Sequence, residues 1–169
     1  VGWSGGHASL WTGTAASRID LNPVGTNDSY AFAIQGGQQV GRMFAGAYRA
    51  SLWTGTAASW VDLSPAGTTG SFLWGVHSGQ QVGWAYVGGS QHAGLWTGSA
   101  ASWVDLHPAS AEESQAYGVS NGVQVGYALI GGTYRAGLWS GSAASWVDLH
   151  PLGYSASYAR SIAQVGGVT

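Results

Sequence analysis

Seven side-chain carboxylates, five arginines and five histidines supply nearly all the acid–base and ligating chemistry of this 169-residue chain, which has neither lysine nor cysteine. Four of the acids recur as a set, Asp20, Asp62, Asp105 and Asp148, each following a cationic or protonatable residue (His7, Arg49, His92, Arg135) at one constant spacing. On neighbouring strands that spacing suits charge-assisted hydrogen bonds that tie two edges together. Four carboxylates around an axis would instead suit a metal ion. The aspartates lie on the outermost strand of each repeat, so pairing is expected and no metal site is assigned. The remaining acids, Asp28, Glu112 and Glu113, fall outside the repeat. A glycosidase needs two carboxylates about 5–9 Å apart, one with a raised pKa. Adjacent Glu112 and Glu113 should diverge into water and Asp28 lies in another repeat, so no catalytic residue and no cofactor is assigned. The sequence contains no nucleophile elbow, phosphate loop, metalloprotease helix or calcium loop. His77, His107 and His150 read as turn residues.

The elements that must position these groups are written as repeats. Leu10-Trp11-Thr12-Gly13 returns at Leu52, Leu95 and, with one serine, Leu138. Trp-Val-Asp-Leu begins at Trp60, Trp103 and Trp146, with Arg18-Ile19-Asp20-Leu21 as its altered first copy, and Val-Gly falls at Val1, Val40, Val82 and Val125. Each unit divides into four short β-like runs bounded by Gly, Pro and Ser. In the third unit these are strand A at 71–76, strand B at 81–87, strand C at 92–97 and strand D at 103–106, where Pro108 stops the last. One such sheet cannot bury both of its faces, so units must stack on one another.

The expected fold is therefore all-β: a single domain forming a four-bladed β-propeller of four-stranded antiparallel blades. The blades are 29–67, 71–110 and 114–153, with a composite first blade from 1–25 plus 157–169. The ring closes when the C-terminal strand A pairs with N-terminal strands B, C and D, removing exposed edges. A linear solenoid, or an open arc that dimerises or joins end to end, is the alternative. Ala33, Gly75, Gly118 and Ser161 are small enough for four inner strands to crowd one axis, while Phe32, Trp74, Tyr117 and Arg160 fill gaps between blades. Arg160 is also a candidate for holding an anion in the central channel.

Composition narrows the function. A net charge of −2 with 7% charged residues gives no basic stripe for nucleic acid. No run of 18 apolar residues suggests a spanning helix, so membrane insertion is not expected. Abundant Gly, Ser, Thr and Ala without lysine, in a chain starting at Val1, suggests a mature exported protein or a piece of a longer one.

The phrases resemble those of the bacterial extracellular HAF repeats. His7-Ala8-Ser9-Leu10-Trp11 and His92-Ala93-Gly94-Leu95-Trp96 match the start of that repeat, and Gly37-Gln38-Gln39-Val40-Gly41 and Gly79-Gln80-Gln81-Val82-Gly83 match its ending. Ser9, Ser51, Gly94 and Gly137 stand where the family has phenylalanine, and the C–D turn is longer. The resemblance implies a secreted or cell-surface propeller of undefined activity, with no catalytic residues to transfer.

Recurring Trp11, Trp53, Trp96 and Trp139 are assigned to packing, because every repeat must pack alike. Function is expected where repeats differ, on the face carrying the B–C and D–A loops. Candidate ligand residues there are Tyr48, Gln91, Tyr134, Asp28, Glu112, Glu113 and Tyr154. The expected function is an extracellular, non-enzymatic module recognising glycan or protein. The alternative is a structural protein self-associating into a layer or filament, and a hydrolase is the third reading.

Overall fold

Runs of alternating or β-branched residues, separated by glycines able to take positive φ, fold back on themselves as antiparallel ladders. Gly88 and Gly89, at φ 59° and 98°, make one such tight return. The computed structural model describes residues 1–163. The first sheet has three strands, β1 (Gly2–Ser4), β2 (His7–Leu10) and β3 (Ile19–Asp20). Three four-stranded sheets follow. They comprise β4 (Ser29–Gln35), β5 (Gln38–Phe44), β6 (Tyr48–Trp53) and β7 (Val61–Asp62); then β8 (Ser71–His77), β9 (Gln80–Val87), β10 (Ser90–Trp96) and β11 (Val104–Asp105); then β12 (Glu113–Ser120), β13 (Val123–Ile130), β14 (Thr133–Trp139) and β15 (Val147–Asp148). Within each sheet sequential strands are neighbours and all pairings are antiparallel. The outermost strands have only two residues, shorter than the four-residue runs in the sequence, because the C–D connection forms a three-residue 3-10 turn just before them.

Successive sheets pack through one recurring interface. Ala8 and Leu21 of the first sheet meet Ala31 and Trp53 of the second. At the next junction Val40, Leu52 and Leu63 meet Leu73, Ala85 and Trp96, and at the third Val82, Leu95 and Leu106 meet Ala116, Val119 and Trp139. Trp53, Trp96 and Trp139 are fully buried, whereas Trp11, with no preceding sheet against it among the described residues, is partly exposed. A serine opening each strand A locks the junction: the N–H groups of Ala8, Ala50 and Ala93 donate to the hydroxyls of Ser29, Ser71 and Ser114 at 2.9 Å.

The segment 157–163 continues the same pattern against the fourth sheet. Ser157 accepts from the Ala136 N–H at 2.9 Å and its own N–H donates to the Tyr134 carbonyl at 2.8 Å. Among the described residues, however, this segment forms no ladder with Gly2–Ser4, and the first sheet keeps three strands. Leu149 is accordingly 48% exposed, although its equivalents Leu21, Leu63 and Leu106 are all 0% exposed. The stretch 164–169 of the expected composite blade lies outside the described residues.

Candidate functional site

The two loop faces differ in how much of their hydrogen-bonding capacity is already used. On the A–B/C–D face, fully buried Gln81 donates to the Gly79 carbonyl and accepts from the Gly98 N–H, both at 2.8 Å. Gln39 and Gln124 do the same in their own sheets. Each C–D turn is closed by a serine, as where Ser59 accepts from Thr54 N–H at 2.8 Å and donates to the Thr56 carbonyl at 2.6 Å. That face is committed to holding the repeat together.

The opposite face carries a groove of about 530 Å3 between the second and third sheets. Phe44 and Tyr48 form one wall, at the ends of β5 and β6, and Phe72, Trp84, Tyr86 and Gln91 form the other. Thr69 and Gly70, from the loop entering β8, make the floor between them. Phe44, Tyr48 and Tyr86 are 44%, 39% and 37% exposed, so aromatic surface faces solvent here. The rings are held in place by one another: Tyr48 lies 5.3 Å from Phe44 and 4.9 Å from Phe72, which stacks on Trp84 at 4.7 Å. Behind them Arg42 places its guanidinium 4.2 Å from the Tyr48 ring and 5.1 Å from that of Phe72. Its Nη1 is 3.9 Å from Asp28 Oδ1. The Trp84 indole N–H has no hydrogen-bond partner among the described residues.

Why the groove opens at this junction follows from the residues that differ between repeats. In the fourth sheet Glu112 and Glu113 occupy the positions of Thr69 and Gly70. Glu112 accepts from the N–H groups of Gly131 and Gly132 at 3.0 and 3.2 Å, and Glu113 accepts from the Tyr127 hydroxyl at 3.0 Å. Gln115, in place of Phe72, donates across the junction to Gln91. At the first junction Asn27 and Asp28 hold the same positions, and the Asp28 carboxylate approaches Arg42 at 3.9 Å. Small, uncharged Thr69 and Gly70 leave the space free.

The residues singled out from the sequence therefore divide. Tyr48 and Gln91 line the groove. Asp28 faces Arg42, and both glutamates engage their own sheet. The two carboxylates have different partners, and burial followed by the Glu113 charge pushes the Tyr127 hydroxyl far above the ordinary tyrosine range. Tyr134 packs on Tyr127 and Tyr158 at 5.3 and 5.5 Å, on the outer face of the fourth sheet, and Tyr154 stands 69% exposed in the loop beyond it. Arg160 lies over Tyr117 at 4.3 Å. Phe44, Phe72, Trp84 and Tyr86 are groove residues that the sequence reading does not single out; the signal for them is the uncharged D–A loop beside aromatic strand ends.

The four aspartates pair with the residues thirteen positions earlier: His7–Asp20 at 2.8 Å, Arg49–Asp62 at 3.3 Å, His92–Asp105 at 2.8 Å and Arg135–Asp148 at 2.9 Å. Burial opposes ionisation of Asp20, but hydrogen bonds from His7 and the Asn22 N–H outweigh it and hold the carboxyl below its usual range. Among the described residues, no group of three or more His, Asp or Glu side chains converges as a metal site. No helix among them is long and apolar enough to cross a membrane. Comparison with protein families, with curated proteins and with solved structures finds no match to this chain.

Proposed function

We propose that this protein is a non-enzymatic carbohydrate-binding module and that the groove between the second and third sheets is its binding site. The observation that carries this reading is the gathering of Phe44, Tyr48, Phe72, Trp84 and Tyr86 around one groove, with Phe44, Tyr48 and Tyr86 exposed to solvent. Sugars present apolar C–H faces edged by hydroxyls, and they stack on aromatic rings while a few polar groups fix orientation. Gln91 supplies an amide, and the groove walls carry no charge. Its volume lies within the roughly 300–1,000 Å3 typical of small-ligand sites. A glycan array followed by calorimetric titration tests the proposal. Binding should be lost in Tyr48→Ala at unchanged melting temperature; an array without hits, or full affinity in the variant, removes the reading.

The four sheets are, on this reading, blades of a propeller, with 157–163 completing the first sheet. The docking of Ser157 on the fourth sheet and the three-strand first sheet support it. Export to the cell exterior is supported by the lysine-free composition and by the resemblance to HAF repeats. A second reading, self-association into a layer or filament, is favoured by the exposure of Leu149 on a face covered at every internal junction.

A further inference from the structure

A second depression, of about 230 Å3, adjoins the aromatic groove and shares Ala47, Tyr48, Thr69 and Gly70 with it. Its other walls are polar: Arg49, Ser64 and Thr68. It opens because Ser64 is small. The same position holds Asn22 in the first repeat, and His107 and His150 in the third and fourth. In the third repeat that position is filled, since the His107 ring stacks on His92 at 3.8 Å.

The Thr68 hydroxyl donates to the Pro65 carbonyl at 2.8 Å, which leaves Arg49 and Ser64 as the donors of this pocket. Arg49 uses Nη1 on Asp62 at 3.3 Å, and its remaining guanidinium N–H groups carry no hydrogen bond among the described residues. Asp62 is itself turned to the backbone, its Oδ1 accepting from Ser64 N–H at 2.8 Å. The Ser64 hydroxyl accepts from Ser71 at 2.9 Å, which leaves its own proton to donate. The Arg49 side chain is 42% exposed. A guanidinium has a planar fork of donors that matches a carboxylate or a sulfate ester.

We infer that the ligand is an acidic oligosaccharide: one sugar stacks in the aromatic groove while an anionic substituent, carboxylate or sulfate ester, on it or the adjoining sugar enters the pocket and binds Arg49 and Ser64. This rests on the carbohydrate reading above and adds the charge of the ligand to it. The two depressions meet at Tyr48, so an occupant of both must turn its apolar face toward the rings and its anion toward Arg49.

Calorimetric titration with three tetrasaccharides on one glucose backbone tests this: one neutral, one containing a single glucuronate, one bearing a single sulfate ester. The acidic ligands should bind about tenfold more tightly than the neutral one, the increment of one partly exposed charge-assisted hydrogen bond. The gap should narrow at high salt. Whichever acidic ligand gains identifies the group. Arg49→His at mildly alkaline pH, where imidazole is neutral, should bind all three like the neutral ligand. His7 and His92 already occupy this position in two repeats, so the fold accommodates the change. Arg49→Gln should behave alike. Neutral binding with no gain for either acid, or a gain that persists in both variants, overturns the inference and leaves the carbohydrate reading standing. Failure of all three ligands to bind overturns both.

Discussion

Arg18 and Trp60 occupy the same place in two repeats, and each does the same work: Arg18 Nε donates to Ser9 Oγ at 2.9 Å and Trp60 Nε1 to Ser51 Oγ at 3.0 Å. In the third and fourth repeats glycine replaces that serine, and Trp103 and Trp146 lie directly on Gly94 and Gly137, where a Cβ would overlap their rings. A similar exchange governs the turn after strand D. Asn22 accepts from Ser29 Oγ at 2.6 Å, and His107 meets Ser114 Oγ at 2.9 Å while its Nε2 donates to the Ala111 carbonyl at 3.0 Å. Burial, then the facing His92, lowers the His107 pKa, against a smaller opposing pull from Ala111 and Asp105. The unfolded chain therefore binds the proton more readily, so this stability is present above about pH 6.5 and is lost as pH falls toward the lowered folded value. Asp20 and Asp148, held below their ordinary value, retain their contributions to lower pH and lose them as pH falls through their folded values. His107→Asn should flatten the stability loss between about pH 7 and 5 in urea titrations; an unchanged slope would show that another group titrates there.

The strands themselves were legible in the residues, because Leu-Trp, Asp-Leu and Val-Gly recur where packing demands them. The bulge in strand A was not. Register slips between Ala31 and Ala33, Leu73 and Gly75, and Ala116 and Gly118, so the inner strand bends at one level in all three complete sheets. Opposite each bulge is a glycine, and at Gly83 an added Cβ would overlap the Phe72 carbonyl oxygen. A repeat of Val-Gly announces that a glycine is needed without saying that its reason is a backbone approaching from the next strand. Gly83→Ala should cost about 3 kcal/mol in chemical denaturation, as overpacking does. Gly79→Ala, at φ 77° with open space around it, should cost only about 1 kcal/mol. Equal costs would mean that the close approach is absent.

Across the whole molecule, repetition explains why the sheets stack, and its interruptions explain where the surface is free. Tyr48 and Gln91 could be picked out as loop-face residues that break the repeat. Phe44, Phe72, Trp84 and Tyr86 could not, because other aromatic residues such as Tyr30 and Tyr127 stand at equivalent positions elsewhere and periodicity alone does not separate a groove ring from a packing ring. The acids drew attention by being aperiodic, yet Glu112 and Glu113 are taken up by bonds within the fourth sheet, while Thr69 and Gly70 at the equivalent positions line the groove. Closure of the ring is tested on the same scale. Leu106→Ala, inside a junction, should cost about 3 kcal/mol. If the ring closes over the fourth sheet, Leu149→Ala should cost a similar amount in a chain whose mass in solution is that of a monomer. A negligible cost in a monomer indicates an open arc, and an oligomer that dissociates in Leu149→Asp indicates assembly.

The central claim, that the aromatic groove receives a sugar, is tested most directly by following the indole N–H resonances of the protein during titration with the glycan selected on the array, with Trp84 assigned through Trp84→Phe. The Trp84 resonance should move while those of Trp53, Trp96 and Trp139, fully buried at the junctions, stay in place. A titration that saturates with Trp84 unmoved would contradict the claim.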